Sequence, residues 1–522
     1  MGEIDLLDNI YKNKLLVDLF ENDQGLKDFH CGSNVDFIDE SFLKQRDLDS
    51  KTRNILYNAI SKQYEECDLP LSKNIELIKN EGVFTITTGH QLCLFGGPQY
   101  FIHKIVSVLC LAKKLKKKFP KNDFLPVFWL ASEDHDFKEI NHLNVFNNHL
   151  SVEGEDSIAV GKLKPSIFDP ILQDLQLIFK NDNRYNELEA IFSNALKKAT
   201  WSQSTRYWIS KVFNNEDLIV FDSDDKSLKE LFFDSFSSEI NHQFIHNSVV
   251  QTNKELVQLG YEPKINPREL NLFYLSNDKR ERIIIDGDNF KIGKGVFTKK
   301  ELLGKLDSSI EKFSPNVLLR PLYQESILPN LIYVGGPSEI TYWLQLKKAF
   351  QFSTLNFPVI VLRDHFAWLN SKQMDKWLKM GFSNDDLIKK TDDLIKLFLQ
   401  KHHNTNIDLN NQKKLLNQIE SDLVNKASDI DQTLVPMVKG ALKGMKNTLD
   451  KVNYKFAQSL KKNEDQQISQ IKTINNSIIE NGVLKERVDN FIGPFLNCNG
   501  DYIERLKKYS NPEQNTLKVL IY

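Results

Sequence analysis

Five apolar runs of strand length, each closing on glycine or charge, constrain this chain more than any other feature. FTITT (84–88) runs into GHQLCLFGGP, FLPVFWLAS (124–132) into EDHDF, DLIVF (217–221) into DSDD, LIYV (331–334) into GGPSE, and FPVIVL (357–362) into RD. Unbroken apolar runs of this length suit strands covered on both faces, as in parallel sheets. Such a sheet collects ligands outside the carboxyl ends of its strands. An α/β fold is therefore expected, with the polar clusters on its ligand side. The first run leads through its glycine-rich turn into a helix expected from about Gln99 to Lys118.

At 522 residues the chain exceeds one ordinary core, so a core with appendages is expected. The first half of this α/β core is expected at 1–150 and a helical insertion at 151–215. A core strand follows at 216–225, then an α+β insertion at 226–315, where FYLSNDKRERIIIDGDNFKIG alternates and turns at Asp-Gly. The second half of the core spans 316–372, a helical coiled-coil domain 373–490, and a tail that packs back on the core 491–522. In the helical part Leu434, Val438, Ala441, Met445, Leu449, Val452, Phe456 and Leu460 recur at intervals of 4, 3 and 4. That eleven-residue period suits a nearly straight coil. Ile468, Ile471 and Ile478 extend the stripe, which needs an antiparallel neighbour such as 385–425, or a second subunit.

Sixty-eight Lys and Arg against 70 Asp and Glu leave a formal charge of −2, which argues against nucleic acid as the main partner. Acidic residues near the N-terminus do not suit a signal peptide, and no run approaches the roughly 18 apolar residues of a membrane span. A cytoplasmic protein without membrane association is expected. The five cysteines are scattered without a CxxC pair and should be reduced. Cys93, three residues past His90, reads as a small core residue.

Three clusters carry the chemistry. In TTGHQ, Thr88 and Gly89 let a ligand meet the backbone, while His90 and Gln91 offer a ring and an amide to phosphate or carboxylate oxygens; Gly97 follows in the same turn. In GGPSE, Gly336 again bares the backbone, Ser338 is placed to cap or to bind an anion, and Glu339 to accept an ammonium. SEDHDF sets Glu133, Asp134, His135 and Asp136 at the end of a buried strand. An ammonium or hydroxyl site with a general base, a divalent-metal site, and internal salt bridges all fit that cluster. Asp134 and His135 are the leading acid/base candidates. Arg320, in a turn fixed by Pro321, is placed to clamp an anion, with Gln324 four residues on. Arg268, Arg282 and Lys104 read as solvated or structural. GxxxxGK[ST], HExxH, GxSxG and GxGxxG between strand and helix are all absent, which removes several large enzyme classes.

The segments TTGHQLCLFGGPQYFIHK, PVFWLASEDHDFKEIN, NVLLRPLYQESILP and VGGPSEITYWLQL together resemble the bacterial cysteine-adding enzymes (cysteine ligases) of bacillithiol biosynthesis. The resemblance implies a Rossmann-type core like that of class I aminoacyl-tRNA synthetases, two connecting-peptide insertions and a C-terminal coiled coil associated with homodimerisation. It implies condensation of the cysteine carboxyl with the amine of glucosaminyl-malate, the last step to bacillithiol. Gly89, His90 and Gln91 would meet a nucleotide or anionic substrate, and Asp134, His135 and Asp136 would face the same cleft. Arg320 would take the malate carboxylates, and Glu339 or an acid of EDHDF the cysteine ammonium. Amide formation from a free carboxylate implies ATP with Mg²⁺ and an acyl-adenylate or acyl-phosphate intermediate, although no KMSK-type lysine loop is present. An enzyme of nucleotidyltransferase or synthetase type on another substrate, and a non-catalytic coiled-coil assembly protein, are the competing readings.

Overall fold

The five apolar runs become five parallel strands in the computed structural model, which describes residues 2–154, 156, 158–214, 216–276, 279–402 and 409–522. These are β1 (Val83–His90), β2 (Asp123–Leu130), β3 (Ile219–Asp222), β4 (Asn330–Gly335) and β5 (Val359–Leu362). They hydrogen-bond in the order β5-β4-β1-β2-β3, parallel throughout. This is the Rossmann order, in which the connections reverse direction between β1 and β4, so a crevice opens there at the carboxyl ends. Nearly every strand side chain is buried, as the lack of alternation required.

Helix α1 (Tyr100–Lys118) follows β1 after the glycine-rich turn and lies against the sheet through Phe101, Ile105, Val108 and Leu109. Its start is tight: Gly97 takes φ +47°, and a Cβ there would fall 2.7 Å from that of Cys93. Helix α2 (Arg320–Ile327) stands where the sequence suggested a turn. Proline in a first helical turn forfeits no hydrogen bond, so Pro321 starts the helix instead of ending one. Helix α3 (Pro337–Leu344) starts the same way after β4.

Between β2 and β3 the chain forms helices Asp169–Ile178, Asn186–Ala195 and Trp201–Val212. Between β3 and β4 it forms further helices and a second, antiparallel sheet of five strands. Their order is Gly295–Thr298, Asn289–Ile292, Arg280–Asp286, Leu272–Leu275, Phe313–Pro315. All of this belongs to one compact unit, residues 4–366 with 486–518, whose late segment returns to the core: the Asn490 amide donates to the carbonyls of Phe95 (3.0 Å) and Gly97 (2.7 Å).

The second unit comprises residues 367–485 with the extreme ends of the chain. Its centre is a helical hairpin of α4 (Asn410–Ile430) and α5 (Val435–Asn463), antiparallel as the pairs Lys413–Asp450 (2.7 Å) and Lys446–Glu420 require. The eleven-residue stripe is not the seam of this hairpin. Leu442, outside the stripe, is the α5 residue buried to 2%, whereas Met445 and Phe456 are more than half exposed. Leu434, Val438 and Leu449 are half-buried, Ala441 and Val452 exposed, and the side chain of Leu460 lies outside the described residues. The isoleucines 468, 471 and 478 do not extend it either. They are buried in and after the separate helix Asp465–Asn476, against Thr391–His402. No described helix is long and apolar enough to cross a membrane.

Candidate active site

A cavity of about 1070 Å³ lies over the carboxyl ends of β1, β2 and β4, the position the strand order dictates. Gly89 on its floor is required by packing: a Cβ there would stand 3.1 Å from the Trp129 carbonyl on β2. One turn into α1, Lys104 reaches up beneath the loop, 2% exposed, donating to the Gly89 carbonyl at 2.8 Å and pairing with Glu339 at 2.7 Å. Glu339 Oε2 also accepts the Gly336 N–H at 2.7 Å. The two ends of the switch point, β1 and β4, are thus joined across the crevice by one ion pair. Burial draws Lys104 below its ordinary value, and Glu339 opposes that. Burial acts to raise Glu339, but Lys104 outweighs it and holds the carboxylate ionised.

His90 is neutral: burial, then Lys104, lowers it to about 4. Its Nδ1 lies 3.1 Å from the Gln91 carbonyl, which only accepts, so Nδ1 carries the proton and Nε2 accepts from the Tyr100 hydroxyl at 3.2 Å. Across the crevice, Gln91 donates to Asp134 at 2.8 Å and the His135 backbone N–H to the other carboxylate oxygen at 2.7 Å. The Arg280 guanidinium stacks 3.9 Å from the Phe273 ring and reaches both Asp134 (3.4 Å) and His135 Nδ1 (3.3 Å). Burial acts to raise Asp134, but the His135 ring, then Arg280 and Gln91, hold it well below the usual carboxylate range. A fixed anion therefore stands beside an imidazole, both about one-third exposed.

The remaining walls are rich in cations. Arg320 sits between the Trp129 and Tyr333 rings with its guanidinium held by Gln324 at 2.9 Å, and makes no ion pair among the described residues. Arg268 and Arg282 are exposed at the rim, Arg363 lies buried beneath Tyr100, and Arg487 completes that edge. Arg363 is paired with Glu486, but Arg320, Arg268 and Arg282 make no ion pair among the described residues, and such guanidinium groups are receptors for carboxylate or phosphate.

The family description "Bacillithiol biosynthesis BshC, N-terminal Rossmann-like domain" matches residues 3–364, and its "C-terminal coiled-coil domain" matches 366–522. The chain belongs to the bacillithiol biosynthesis BshC family. It is 34% identical over 517 residues to the "Putative cysteine ligase BshC" of Flavobacterium johnsoniae, covering 98% of this chain and 97% of that one. It is 33% identical over 518 residues to the protein of the same title from Flavobacterium psychrophilum, with the same coverage. The relative of that title from Bacillus cytotoxicus is 25% identical over 507 residues, 92% of this chain and 94% of its own. A solved chain titled a putative arginyl-tRNA synthetase from Campylobacter jejuni aligns over 88% of this chain and 98% of its own at 11% identity, with a TM-score of 0.20. At that score the alignment says nothing about shared architecture.

Within the family's Rossmann-like part, Gly89, His90, Gln91, Glu133, Asp134, His135, Arg320, Gly336, Ser338 and Glu339 all line the cavity. Thr88, Gly97, Asp136 and Gln324 do not. Thr88 is buried and donates to the Val334 carbonyl at 2.7 Å, tying β1 to β4. Gly97 serves the turn. The Asp136 carboxylate caps the short helix Phe137–Ile140, accepting the Glu139 N–H at 3.3 Å, so the last acid of EDHDF points into a helix start and away from the cleft. Gln324 acts through Arg320. Glu133 lines the wall as an internal ion pair, 2.7 Å from Lys229, which also holds Asp224 at 2.6 Å. Burial raises Glu133 and the lysine opposes it. EDHDF thus divides into three environments: a structural pair, a fixed anion with an imidazole, and a helix cap.

Tyr100, Arg280, Arg363 and Arg487 were not singled out by the sequence, and Lys104 was read as solvated or structural. Arg363 had one signal, its place in RD at the end of the fifth apolar run; the others follow from tertiary contacts alone. No group of three or more His, Cys, Asp or Glu able to hold a metal occurs among the described residues.

Proposed function

We propose that the chain joins the carboxyl group of cysteine to the amine of glucosaminyl-malate, the last step of bacillithiol synthesis, with ATP as the activating reagent. One observation carries this reading: a single cavity large enough for two small substrates combines unpaired guanidinium groups with a fixed carboxylate beside an imidazole. Arg320, preorganised by Gln324 and two aromatic faces, suits the malate carboxylates. Asp134, kept ionised by Gln91 and Arg280, suits the cysteine ammonium; Glu339 is already satisfied by Lys104 and Gly336. His135, with Nδ1 3.4 Å from the Asp134 carboxylate, donates its Nδ1 proton to that anion and so presents an unprotonated Nε2, which takes the proton of the attacking amine as the amide forms. His90, neutral and fixed in one tautomer, donates no charge and orients through hydrogen bonds. The cationic rim of Arg268, Arg282 and Arg487 fits a triphosphate, and Mg²⁺ would arrive with those phosphates. When bound, ATP supplies the activation that a free carboxylate lacks; the chain's residues position, neutralise and shield.

The same reading takes the enzyme to be cytoplasmic and homodimeric through the coil. All five cysteines are unpaired, as suits a reducing compartment. The apolar faces of α4 (Leu415, Ile419, Leu423) and α5 (Met437, Met445, Phe456) are exposed along a hairpin that cannot bury them alone.

The test is incubation of the purified full-length chain with glucosaminyl-malate, cysteine and ATP, read by mass spectrometry. The thiol amide is expected, dependent on both substrates and nucleotide. Absence of product with every nucleotide, together with normal thiol in a deletion strain, overturns the ligase. Unchanged thiol production in cells carrying H90A, D134A and H135A would favour a non-catalytic assembly protein.

A further inference from the structure

The chain leaves the Rossmann-like unit at Phe366 and re-enters it at Glu486, and these two crossing points are bound to each other inside that unit. Glu486 is 2% exposed and saturated with donors. Its Oε1 lies 2.7 Å from Arg363 and 2.6 Å from His365 Nδ1; its Oε2 lies 3.2 Å from Arg363, 2.9 Å from His103 Nδ1 and 3.2 Å from the Phe366 N–H. A bidentate guanidinium–carboxylate pair fixes the plane of the arginine as well as its place. That plane lies 4.9 Å from the centre of the Tyr100 ring. The Tyr100 hydroxyl is the group that meets Nε2 of His90. The residues on either side tighten the same arrangement, because the Asp489 carbonyl accepts the Gln99 N–H at 2.8 Å, one residue before Tyr100.

We propose that Glu486 is a positioning residue for the active site: it fixes Arg363 beneath Tyr100, and through Tyr100 sets the orientation and tautomer of His90. Glu486 touches neither the cavity nor His90, so its effect passes through two intermediaries on different elements. His365 is kept neutral, lowered to about 4 by burial and then by Arg363, so the carboxylate balances the guanidinium alone. Arg487, next in the chain and exposed, remains the net cation of that edge.

The inference rests on the ligase reading only for its kinetic arm. On the full-length chain, ¹⁵N-histidine NMR should show His90 as the Nδ1–H tautomer. Y100F removes the donor to Nε2 and should shift that resonance, and E486Q should shift it in the same direction. In the ligation assay each should lower kcat by up to about 100-fold with little change in KM, the scale of a small misplacement at a reacting centre. The double variant should be no slower than the slower single one. An E486Q spectrum with His90 unmoved, or losses that multiply in the double variant, overturns the proposal. Should E486Q fail to fold, R363K, which keeps the charge and loses the fork, takes its place with the same expected shift and the same contradicting result. The NMR arm needs no substrate, so its failure is distinct from failure of the ligase reading.

Discussion

The Rossmann-like unit and the helical unit handle their charged and apolar groups in opposite ways. In the first, whole ion networks are buried: Lys229 is fully enclosed with Glu133 and Asp224, and Glu486 with Arg363. Its apolar side chains are enclosed too, with every residue of β4 buried. In the second, ion pairs such as Lys413–Asp450 lie at the surface, and Met445, Val452 and Phe456 of the apolar stripe are left exposed. The difference teaches that one unit carries its constraints within itself, while the other leaves charged and apolar groups at its surface. Buried charges cannot be altered without large effects; surface ones can.

The sharpest way to break this comparison is K229M. It leaves the buried Glu133 without its cation and Asp224 with Lys162 alone, and a loss of about 3–5 kcal/mol is expected, read by urea unfolding followed through tryptophan fluorescence. A loss below about 1 kcal/mol would remove the claim that this network is tightly coupled.

A second test uses pH. Burial lowers His365 to about 4, below the ordinary unfolded value near 6.5. Its folded form therefore binds fewer protons, so this contribution is complete above about pH 6.5 and is lost as pH falls toward 4. Glu325 and Glu239 act oppositely. Burial raises both to about 7, so their penalty is full above that pH and fades toward about 4. In H365Q the stability difference between pH 7.5 and pH 5 should shift by about 2 kcal/mol, as the acid-dependent loss at that site disappears. An unchanged pH slope would contradict the assignment.

Smaller effects are expected in the helical unit. M445E with F456E should weaken self-association by at least about tenfold in sedimentation equilibrium, since each buried apolar side chain contributes roughly 1.5–3 kcal/mol. The stability of the isolated chain should change by less than about 0.5 kcal/mol. Smallest of all, K413A should cost about 0.2–1 kcal/mol, screened by salt, and a larger value would erase the contrast between the two units.

The sheet was legible because parallel strands buried on both faces leave an unmistakable trace: β1, β2, β4 and β5 are apolar runs ending in glycine or charge. The crevice was legible for the same reason, since TTGHQ, EDHDF and GGPSE stand at strand ends. What escaped is what depends on partners distant in sequence. A lysine in mid-helix reads as solvated or structural, and only the fold shows Lys104 turned under Gly89. Glu486 and Arg363 are separated by the whole helical unit in the chain, and nothing in either local segment points to the other. Asp136 looked like its neighbours by composition, yet the backbone turns after His135 and makes it a cap. The α5 stripe was legible as a period, but periodicity does not say which face meets the hairpin partner, and Leu442 does.

The central claim is that the fixed anion Asp134 and its imidazole neighbour perform amide formation in this cleft. It is tested most directly by running D134N through the mass-spectrometric ligation assay beside the unaltered chain. The amide removes the charge and keeps the size. The account predicts thiol amide from the unaltered chain and a loss on the order of 100-fold or more in D134N, with its thermal unfolding little changed. Equal product from both proteins would contradict it.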